Sequence, residues 1–395
     1  MFISDTHLPQ VLQPGHYSSP EILRREIDAL FARGWHCLAV LPEFPREGDY
    51  RTLEFAGRPL ILWRQGGAIH AFLNVCTHRF SQLRSHSCGH AGTHLKCQYH
   101  GWEYDADGNT CRIPDAQCFR PMEKGLLGLT KFRTELLGQL VFVSLDPDGP
   151  SLREYLGAFY DLLAPEFTAD RYLIWKTVLR QRCNWKIPME NTVESYHTAQ
   201  VHPNSFGMYP EERFCTHEIH AERDMMQVDY SYQTNRGERL VSRLLGCTPD
   251  FVFRHCARYP DTVVSLNQLF TTVWTVVPDT PDTCRELIWT FALPGRRGRV
   301  RSWIAGKLLK WWVTKFSEQV RAEDAAIFPH VQRGISVPER PIGGGLISRR
   351  EERIFAFQNF VAAALGEPSP GHRPDAATNG QRLERPAGRV AAGSA

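Results

Sequence analysis

The sequence predicts an α+β protein of two domains, an all-β domain followed by a domain in which helices pack against an antiparallel sheet. Residues 35–150 contain short runs of β-branched and aromatic residues that turn signals separate. Beyond residue 150, stretches with apolar residues at helical spacing alternate with strand-like runs. The length of 395 residues is sufficient for two domains that each bury a core.

A helix is predicted in the N-terminal segment, residues 1–34. Ser19 is a good capping residue, Pro20 suits the first turn, and Glu21 puts a negative charge where the helix dipole is positive. Apolar residues then recur at helical spacing, and Gly34 marks the expected end. The β domain is therefore expected to begin at residue 35.

The β domain is expected to cover residues 35–150. Turns are predicted at Gly66-Gly67 and Asp107-Gly108, and the proline- and glycine-containing segment 146–150 is the clearest linker in the chain. The expected strands include 60–63, 71–73 and 140–143.

The second domain is expected to cover residues 151–365. Residues 366–395 are rich in proline, glycine, alanine and arginine and contain no aromatic residue, so we expect a disordered tail. The expected helices are 152–163, 184–199 and 304–332, and the expected strands are 263–277 and 286–293.

The charge pattern argues against a nucleic-acid or membrane partner. The net charge is +3, and acidic and basic residues are interspersed. Residues 306–312 could lie on a membrane surface, but amphipathic core helices have the same pattern, and we expect a core helix. No secretory signal is present near the start, so a cytoplasmic protein is expected.

Four residues in the β domain form the first candidate metal site. Cys76 and His78 lie on one predicted loop, and Cys97 and His100 lie on another. Two thiolates and two imidazoles also suit a structural zinc site. Zinc sites of this composition usually take both cysteines from one loop. One cysteine and one histidine per loop instead favours a Rieske [2Fe–2S] centre, in which the cysteines bind one iron and the histidines the other. The histidines and Cys88 between the loops are not expected to be ligands.

A second group of chemistry-bearing residues lies in the α+β domain. His197 and His202 are five residues apart, so they converge only if a helix ends or bulges between them, and Pro203 favours an ending. Two imidazoles and one carboxylate form the facial triad of non-haem iron(II). The carboxylate must come from a distant segment. The candidates on the predicted helix 304–332 are Glu318, Glu323 and Asp324.

Both groups resemble the Rieske non-haem iron oxygenases, specifically the alpha subunits of the aromatic ring-hydroxylating family. The resemblance covers roughly residues 20–360 and implies a helix-grip catalytic domain after the Rieske domain. Phe80 departs from the family, which usually has glycine there. The motif running from Asn191 to His202 resembles the family's catalytic element, although most members have aspartate where this chain has Glu194.

The resemblance also implies residue roles. His197 and His202 would bind iron, and Asp324, rather than Glu323, would be the third ligand. Glu194 and Asn191 belong to the same catalytic element, and Glu194 would bridge to a cluster histidine of a neighbouring subunit. A homotrimer follows from this bridge.

The implied function is that of a terminal oxygenase that uses O2 and NAD(P)H electrons. This sequence has no dinucleotide-binding fingerprint, so the electrons are expected from a separate reductase, with a ferredoxin as a possible intermediary. An aromatic ring is the expected substrate, and a quaternary ammonium compound is the alternative. Phe206, Asn267 and Phe270 are expected near the pocket. The rival functions are a Rieske ferredoxin-type electron carrier and a zinc-stabilised ligand-binding protein.

Overall fold

The fold is described from a computed structural model. It describes residues 2–120, 127–206, 210–231, 236–247, 251–267, 269–292, 299–339, 341 and 344–367. The predicted disordered tail lies almost wholly outside the described residues.

The N-terminal segment begins with a short strand, β1 (Leu8–Pro9), and two helices, α1 (Gly15–Ser18) and α2 (Pro20–Glu26). Ser19 caps α2 as predicted, because its side chain accepts a hydrogen bond from the Ile22 N–H at 3.3 Å. A π-helical turn, Ile27–Phe31, continues α2. The segment therefore contains the predicted helix, and a strand that the sequence did not signal.

The first domain contains one large antiparallel sheet and one small one. The large sheet has the strand order β2-β11-β10-β5-β4-β3-β6, and the small sheet has the order β7-β8-β9. Glycines at the predicted turn, Gly66 and Gly67, have φ of +62° and +78° and join two neighbouring strands in a hairpin. The strands are β2 (His36–Val40), β3 (Asp49–Phe55), β4 (Arg58–Gln65), β5 (Ala68–Leu73), β6 (Cys88–His90), β7 (Leu95–Lys96), β8 (Glu103–Tyr104), β9 (Thr110–Arg112), β10 (Lys131–Leu137) and β11 (Leu140–Ser144).

The second domain is built on a seven-stranded antiparallel sheet with the order β12-β18-β17-β16-β15-β14-β13. Its strands are β12 (Tyr172–Gln181), β13 (Cys215–Ile219), β14 (Arg223–Asp229), β15 (Val252–Arg258), β16 (Thr262–Leu266), β17 (Phe270–Thr280) and β18 (Thr283–Ala292). The helices are α3 (Leu152–Leu156), α4 (Ala158–Leu163), α5 (Lys186–Thr192), α6 (Thr198–Val201), α7 (Arg236–Leu245), α8 (Arg299–Ile335) and α9 (Glu352–Ala364). The last strand, β19 (Leu346–Ile347), pairs with β1. The predicted fold class is confirmed.

Two predicted helices are interrupted. The helix expected at 152–163 is broken at Gly157, whose φ of +52° favours glycine and separates α3 from α4. The helix expected at 184–199 is α5 and the start of α6, separated by residues 193–197. The strand expected at 263–277 is likewise two strands, β16 and β17, joined at residues 267–269.

The two domains share a continuous core. Buried side chains of the N-terminal helices, the first sheet and the second sheet belong to one hydrophobic cluster. His36 of β2 is fully buried and contacts Asp261 through Nδ1 at 2.6 Å, so a buried hydrogen bond also joins the first domain to the second. In the parts of the chain that the structure describes, none of the helices has the length and apolar character that crossing a bilayer requires.

A buried ion pair fixes the N-terminal segment to the catalytic domain. Lys186 Nζ lies 2.7 Å from Glu26 Oε1, both side chains are fully buried, and the Trp185 indole N–H donates to the same carboxylate. Burial lowers the pKa of Lys186, and Glu26 opposes that change. The lysine charge therefore depends on Glu26.

Replacement of Glu26 by alanine is expected to lower the free energy of unfolding by about 3–5 kcal/mol, because it leaves a buried ammonium without its partner. Denaturant unfolding followed by tryptophan fluorescence measures the change. Glu21→Ala is the control, since Glu21 is exposed, pairs with exposed Arg24 and lies in the first turn of α2, so its loss should lower the free energy of unfolding by at most about 1 kcal/mol. An equal loss of stability in both variants would contradict the stabilising role of the buried Lys186–Glu26 pair.

Two candidate metal centres

The two cysteine–histidine loops fold into matching turns. One follows β5 and the other joins β7 to β8. In each loop, the N–H four residues after the cysteine donates to the cysteine carbonyl, Phe80 to Cys76 at 3.0 Å and Gly101 to Cys97 at 3.1 Å. Both donors have positive φ, +59° at Phe80 and +72° at Gly101. The turns therefore present the two cysteines in equivalent positions.

The turn geometry explains why glycine would be favoured at position 80. A φ of +59° is strained for a phenylalanine, whereas glycine adopts it freely. The Phe80 side chain is 79% exposed. The large side chain that stands in place of glycine therefore lies in solvent, and the hydrogen bond from the Phe80 N–H to the Cys76 carbonyl holds the strained backbone.

Both thiols of the first centre are buried. Cys76 Sγ lies 3.1 Å from the Tyr104 hydroxyl, and the Tyr99 N–H donates to Cys97 Sγ at 3.5 Å. Burial raises the pKa of the Cys76 thiol, and the neighbouring Cys97 thiol raises it further. Two adjacent buried thiolates therefore require a compensating cation, which an iron centre supplies.

The two imidazoles of the first centre pack edge to face. Their ring centroids, in His78 and His100, are 4.6 Å apart, and the Trp102 ring stacks on His78 at 4.9 Å. His78 Nδ1 is buried and has no hydrogen-bond partner among the described residues. Burial lowers the pKa of His78, which favours the neutral form that binds metals. This unpartnered nitrogen fits a metal ligand.

Residues between the two loops do not join this centre. His90 Nδ1 contacts Asp49 at 3.0 Å, His94 Nδ1 contacts the Thr93 hydroxyl at 3.1 Å, and Cys88 is exposed. The low expectation for these three residues as ligands agrees with their placement on the surface.

Substitution of His100 by cysteine is expected to lower the reduction potential of the cluster by roughly 100 mV or more, because an anionic ligand replaces a neutral one. Redox titration followed by visible absorption measures the potential. His94→Cys is the matched control and should leave the potential unchanged, because His94 lies outside the centre. An unchanged potential in His100→Cys would show that His100 is not a ligand.

The second centre forms where the predicted helix 184–199 is interrupted. Helix α5 ends at Thr192, and His197 and His202 flank the short helix α6. The predicted helix 184–199 is therefore not continuous, and Asn191 lies on α5 whereas Glu194 and His197 lie beyond its end. The break leaves residues 193–197 outside regular structure, and the Glu194 carboxylate caps the N–H groups of Tyr196 and His197 there.

Three potential ligands converge at the second centre. His197 Nε2 and His202 Nε2 are 3.2 Å apart, and Asp324 Oδ1 of α8 lies 3.2 Å from His202 Nε2 and 3.9 Å from His197 Nε2. Among the described residues, this trio is the group found to offer ligand atoms all within 4.8 Å of one another. Two imidazoles and one carboxylate form the donor set that non-haem iron(II) takes.

Two further carboxylates orient the imidazoles. His197 Nδ1 contacts Glu194, and His202 Nδ1 lies 2.9 Å from Glu323 Oε2, which also accepts a hydrogen bond from the Ser205 hydroxyl at 2.7 Å. Each contact directs the opposite ring nitrogen towards Asp324. Burial acts to lower the pKa of His202, but Asp324 and Glu323 raise it overall. The excess of negative charge around the imidazoles fits a metal cation.

The structure gives the adjacent acids of α8 different positions. Asp324 points at both imidazole Nε2 atoms, whereas Glu323 lies on the opposite side of His202 and contacts its Nδ1. Glu318 pairs instead with Lys315 at 3.2 Å on the surface. Asn191 Nδ2 donates to Asp324 Oδ1 at 3.1 Å and so holds the carboxylate in place. Sequence reasoning missed the contact of Glu323, although the offset of about 100° between neighbouring helical residues indicated that the two acids must diverge.

A row of aromatic rings starts at the second centre. Phe206 packs against His202 with a centroid distance of 5.3 Å, and Phe316 packs against Phe206 at the same distance. Trp312 stacks on Phe316 at 5.7 Å and contacts Phe270 at 6.0 Å. Two of the predicted pocket residues, Phe206 and Phe270, thus belong to one row.

Asn267, the third predicted pocket residue, adjoins this row through its backbone, whose N–H donates to the Phe270 carbonyl at 3.1 Å. Its amide donates to the Tyr230 hydroxyl at 3.2 Å, and its side-chain oxygen accepts from the Leu269 N–H at 2.9 Å. These bonds give Asn267 a role in shaping the connection between β16 and β17.

Comparisons with known proteins agree with both centres. The family model of the ring hydroxylating alpha subunit (catalytic domain) matches residues 170–367, half of the chain, and the model of the Rieske [2Fe–2S] domain matches residues 34–132. The glycine betaine monooxygenase oxygenase subunit of Chromohalobacter salexigens is 31% identical over 200 residues, which are 50% of this chain and 44% of that protein. The large oxygenase component of the naphthalene 1,2-dioxygenase system of Pseudomonas aeruginosa is 33% identical over 199 residues, 48% of this chain and 44% of that one.

A solved structure has the same fold over most of its length. The quaternary ammonium Rieske monooxygenase CntA, in complex with L-carnitine, superposes with a TM-score of 0.72 at 22% identity, covering 90% of this chain and 95% of that one. The matched regions span about half the length of the curated relatives named above.

Proposed function

This chain belongs to the family of ring-hydroxylating oxygenase alpha subunits, and on that basis we propose that it oxidises a carbon attached to the nitrogen of a quaternary ammonium compound. It is a Rieske oxygenase with a [2Fe–2S] domain and a catalytic domain of the type that binds a mononuclear iron. Electrons reach enzymes of this family from NAD(P)H through a partner reductase.

We assign the ligands as follows. Cys76 and Cys97 would hold one iron of the cluster, and His78 and His100 the other. His197, His202 and Asp324 would hold the mononuclear iron. When bound, the cluster supplies electrons, and the mononuclear iron supplies O2 activation at its open coordination positions. A simple electron carrier, the rival function, would not need His197, His202 and Asp324 to converge.

The aromatic row beside His202 is the observation that carries the substrate class. Ring faces attract a quaternary ammonium group, which cannot donate hydrogen bonds, through cation–π interaction. Phe206, Phe316 and Trp312 form a continuous series that begins at an iron ligand. Glycine betaine monooxygenase and CntA, which act on such compounds, are among the relatives of this chain. The expectation of an aromatic ring as substrate gains less support, from the naphthalene 1,2-dioxygenase component alone among the relatives cited above.

A buried histidine on the sheet is suited to bind the carboxylate of a betaine. His255 of β15 is buried, its Nδ1 has no hydrogen-bond partner among the described residues, and its ring packs against Trp274 at 5.4 Å. Burial lowers the pKa of His255, and the nearby guanidinium groups of Arg353 and Arg321 lower it further. A buried neutral imidazole with a free ring nitrogen can donate a hydrogen bond to a carboxylate, as in a zwitterionic betaine.

The overall reaction balances as a monooxygenation. One oxygen atom of O2 enters the C–H bond next to the quaternary nitrogen, and the other leaves as water after uptake of two electrons and two protons. The resulting alcohol carries its hydroxyl on the carbon bound to nitrogen. That C–N bond breaks, the nitrogen keeps the electron pair as a tertiary amine, and the carbon becomes a carbonyl as the hydroxyl proton leaves.

Substitution of Trp312 by leucine is expected to raise the KM for glycine betaine or carnitine roughly tenfold with a smaller change in kcat, because the ring face is lost while an apolar side chain remains. Oxygen uptake with a surrogate reductase, together with assay of the carbonyl product, measures both constants. Trp311→Leu is the matched control, because Trp311 lies outside the row and is 66% exposed.

The same assay tests the function itself. Oxygen consumption coupled to carbonyl release from quaternary ammonium compounds would support it. Hydroxylation of aromatic compounds without turnover of any ammonium compound would overturn it and would favour the aromatic alternative.

We also propose that the chain assembles as a ring, expected to be a trimer, in which the cluster of one copy lies beside the second centre of the next. Two aromatic side chains next to the cluster, Phe80 and Tyr99, are exposed, and so is Tyr196 beside Glu194. Exposed apolar groups at both centres suit an interface between copies. Glu194 would accept a hydrogen bond from a cluster histidine of the partner subunit.

A further inference from the structure

The first half of α8 has an exposed apolar surface that the oxygenase reaction does not use. We call it the tryptophan face. Trp303 and Trp311 are 63% and 66% exposed, values that are high for such large side chains. The face consists of Val300, Trp303, Ile304, Leu308 and Trp311, with the cation of Lys307 between them.

Helix geometry explains how one helix is both buried and exposed. Ala305, Leu309 and Val313 are fully buried and anchor α8 to the catalytic domain. At about 100° per residue, the tryptophan face spans an arc of roughly 140° centred opposite Leu309. The expectation of a core helix at 306–312 was therefore only partly right, because Leu309 is in the core and Trp311 is in solvent.

The exposed charges on the first half of α8, up to residue 317, are all positive, and the first acid beyond them is Glu318, which pairs with Lys315. Lys307, Lys310 and Lys315 are exposed on the same half of the helix. The sequence from residue 296 to residue 317 contains seven lysines and arginines and no acidic residue. The rest of the chain is net negative, because the total net charge is +3 and this segment carries +7. The positive charge is therefore concentrated on the start of this helix and the residues just before it.

We propose that the tryptophan face binds the surface of an anionic lipid bilayer, with α8 lying in the plane of the interface. Tryptophan side chains favour the boundary between headgroups and acyl chains, and lysines beside them attract anionic lipids. Charge complementarity selects this occupant over a second copy of the chain, whose own tryptophan face would bring like charges together. The interaction would attach the enzyme peripherally and contrasts with the expectation of no membrane partner.

Co-sedimentation of the full-length, metal-loaded protein with vesicles tests this proposal independently of the substrate. Binding to vesicles of phosphatidylcholine with phosphatidylglycerol is expected to exceed binding to pure phosphatidylcholine and to weaken with added salt. Lys307→Gln with Lys310→Gln should weaken binding to the anionic vesicles on the order of 25-fold, about fivefold for each cation. Trp303→Ser with Trp311→Ser should weaken it at least as much.

Two control variants test whether the loss of vesicle binding is specific to the tryptophan face and its lysines. Leu136→Ser removes an exposed apolar side chain elsewhere, and Arg24→Gln removes an exposed cation elsewhere, so neither should change sedimentation with vesicles. Equal binding to neutral and anionic vesicles, or unchanged binding in the tryptophan and lysine variants, would overturn the proposal. A loss of oligomer mass in the tryptophan variant without lipid would also overturn it and assign the face to contacts between copies.

Discussion

Replacement of Asp324 by alanine is expected to reduce the iron content from about three to about two atoms per chain, because the cluster keeps two irons and the facial triad loses its carboxylate. The red-brown colour of the cluster should remain, and oxygenase activity should disappear. Asp324 is the one acid of α8 that points at both imidazole Nε2 atoms, at 3.2 Å and 3.9 Å. Metal analysis of the purified variant, with its visible spectrum, measures both effects.

Glu323→Gln is the matched control for this substitution. Glu323 contacts His202 from the side away from Asp324, and glutamine retains a hydrogen-bond acceptor there. Iron affinity should therefore weaken roughly 10- to 100-fold, while the site still fills at saturating iron. If Glu323→Gln empties the site irreversibly and Asp324→Ala leaves it filled, the ligand assignment is wrong.

Replacement of Glu194 by glutamine is expected to slow electron delivery to the second centre on the order of a hundredfold, while iron content and cluster reduction by dithionite stay normal. Glutamine has nearly the size of glutamate but lacks its charge, so it supports the His197 imidazole less well. Glu194 contacts His197 Nδ1 directly and, in the proposed ring, also a cluster histidine of the neighbouring copy. Single-turnover kinetics on the pre-reduced protein measure the rate of product formation.

Glu194→Asp keeps the charge and shortens the side chain. It should retain more activity than Glu194→Gln, unless the backbone between α5 and α6 holds residue 194 at a distance from His197 that only the longer side chain can span. Product formation at the wild-type rate in Glu194→Gln would rule out the bridging role. A fully active monomer would rule out the ring.

The first centre could be predicted well because the residues that build each loop are close together in the sequence. Each loop needs only a cysteine, a histidine and a tight turn, and all of these lie within five residues. The positive φ at Phe80 could not be predicted, because phenylalanine gives no signal for that conformation. The hydrogen bond that fixes it, to the Cys76 carbonyl, depends on the folded loop.

The second centre was harder to predict because it depends on the break between α5 and α6 and on helix α8, which is distant in the sequence. Helical periodicity continued through Glu194, but the side chain of Glu194 instead caps residues 196 and 197 after α5 ends. Local propensity does not reveal this competition between side chain and backbone. The roles of Glu323 and Asp324 likewise depend on how α8 is rotated, which tertiary packing decides.

The exposed half of α8 shows the limit of hydrophobic patterns. Leu309 and Trp311 are equally apolar in the sequence, yet one is fully buried and the other largely exposed. A pattern of apolar residues all around a helix predicts burial only when something covers every side. The sequence allowed both a core helix and a membrane-surface helix at residues 306–312, and the apolar pattern alone could not decide between them.

If one chain carries both a Rieske cluster and a mononuclear iron, the purified protein should contain about three irons and about two acid-labile sulfides per chain, with little zinc. Quantification of iron, sulfide and zinc measures these contents. Two irons with two sulfides would leave only an electron-carrying cluster, and zinc without sulfide would exclude both iron centres.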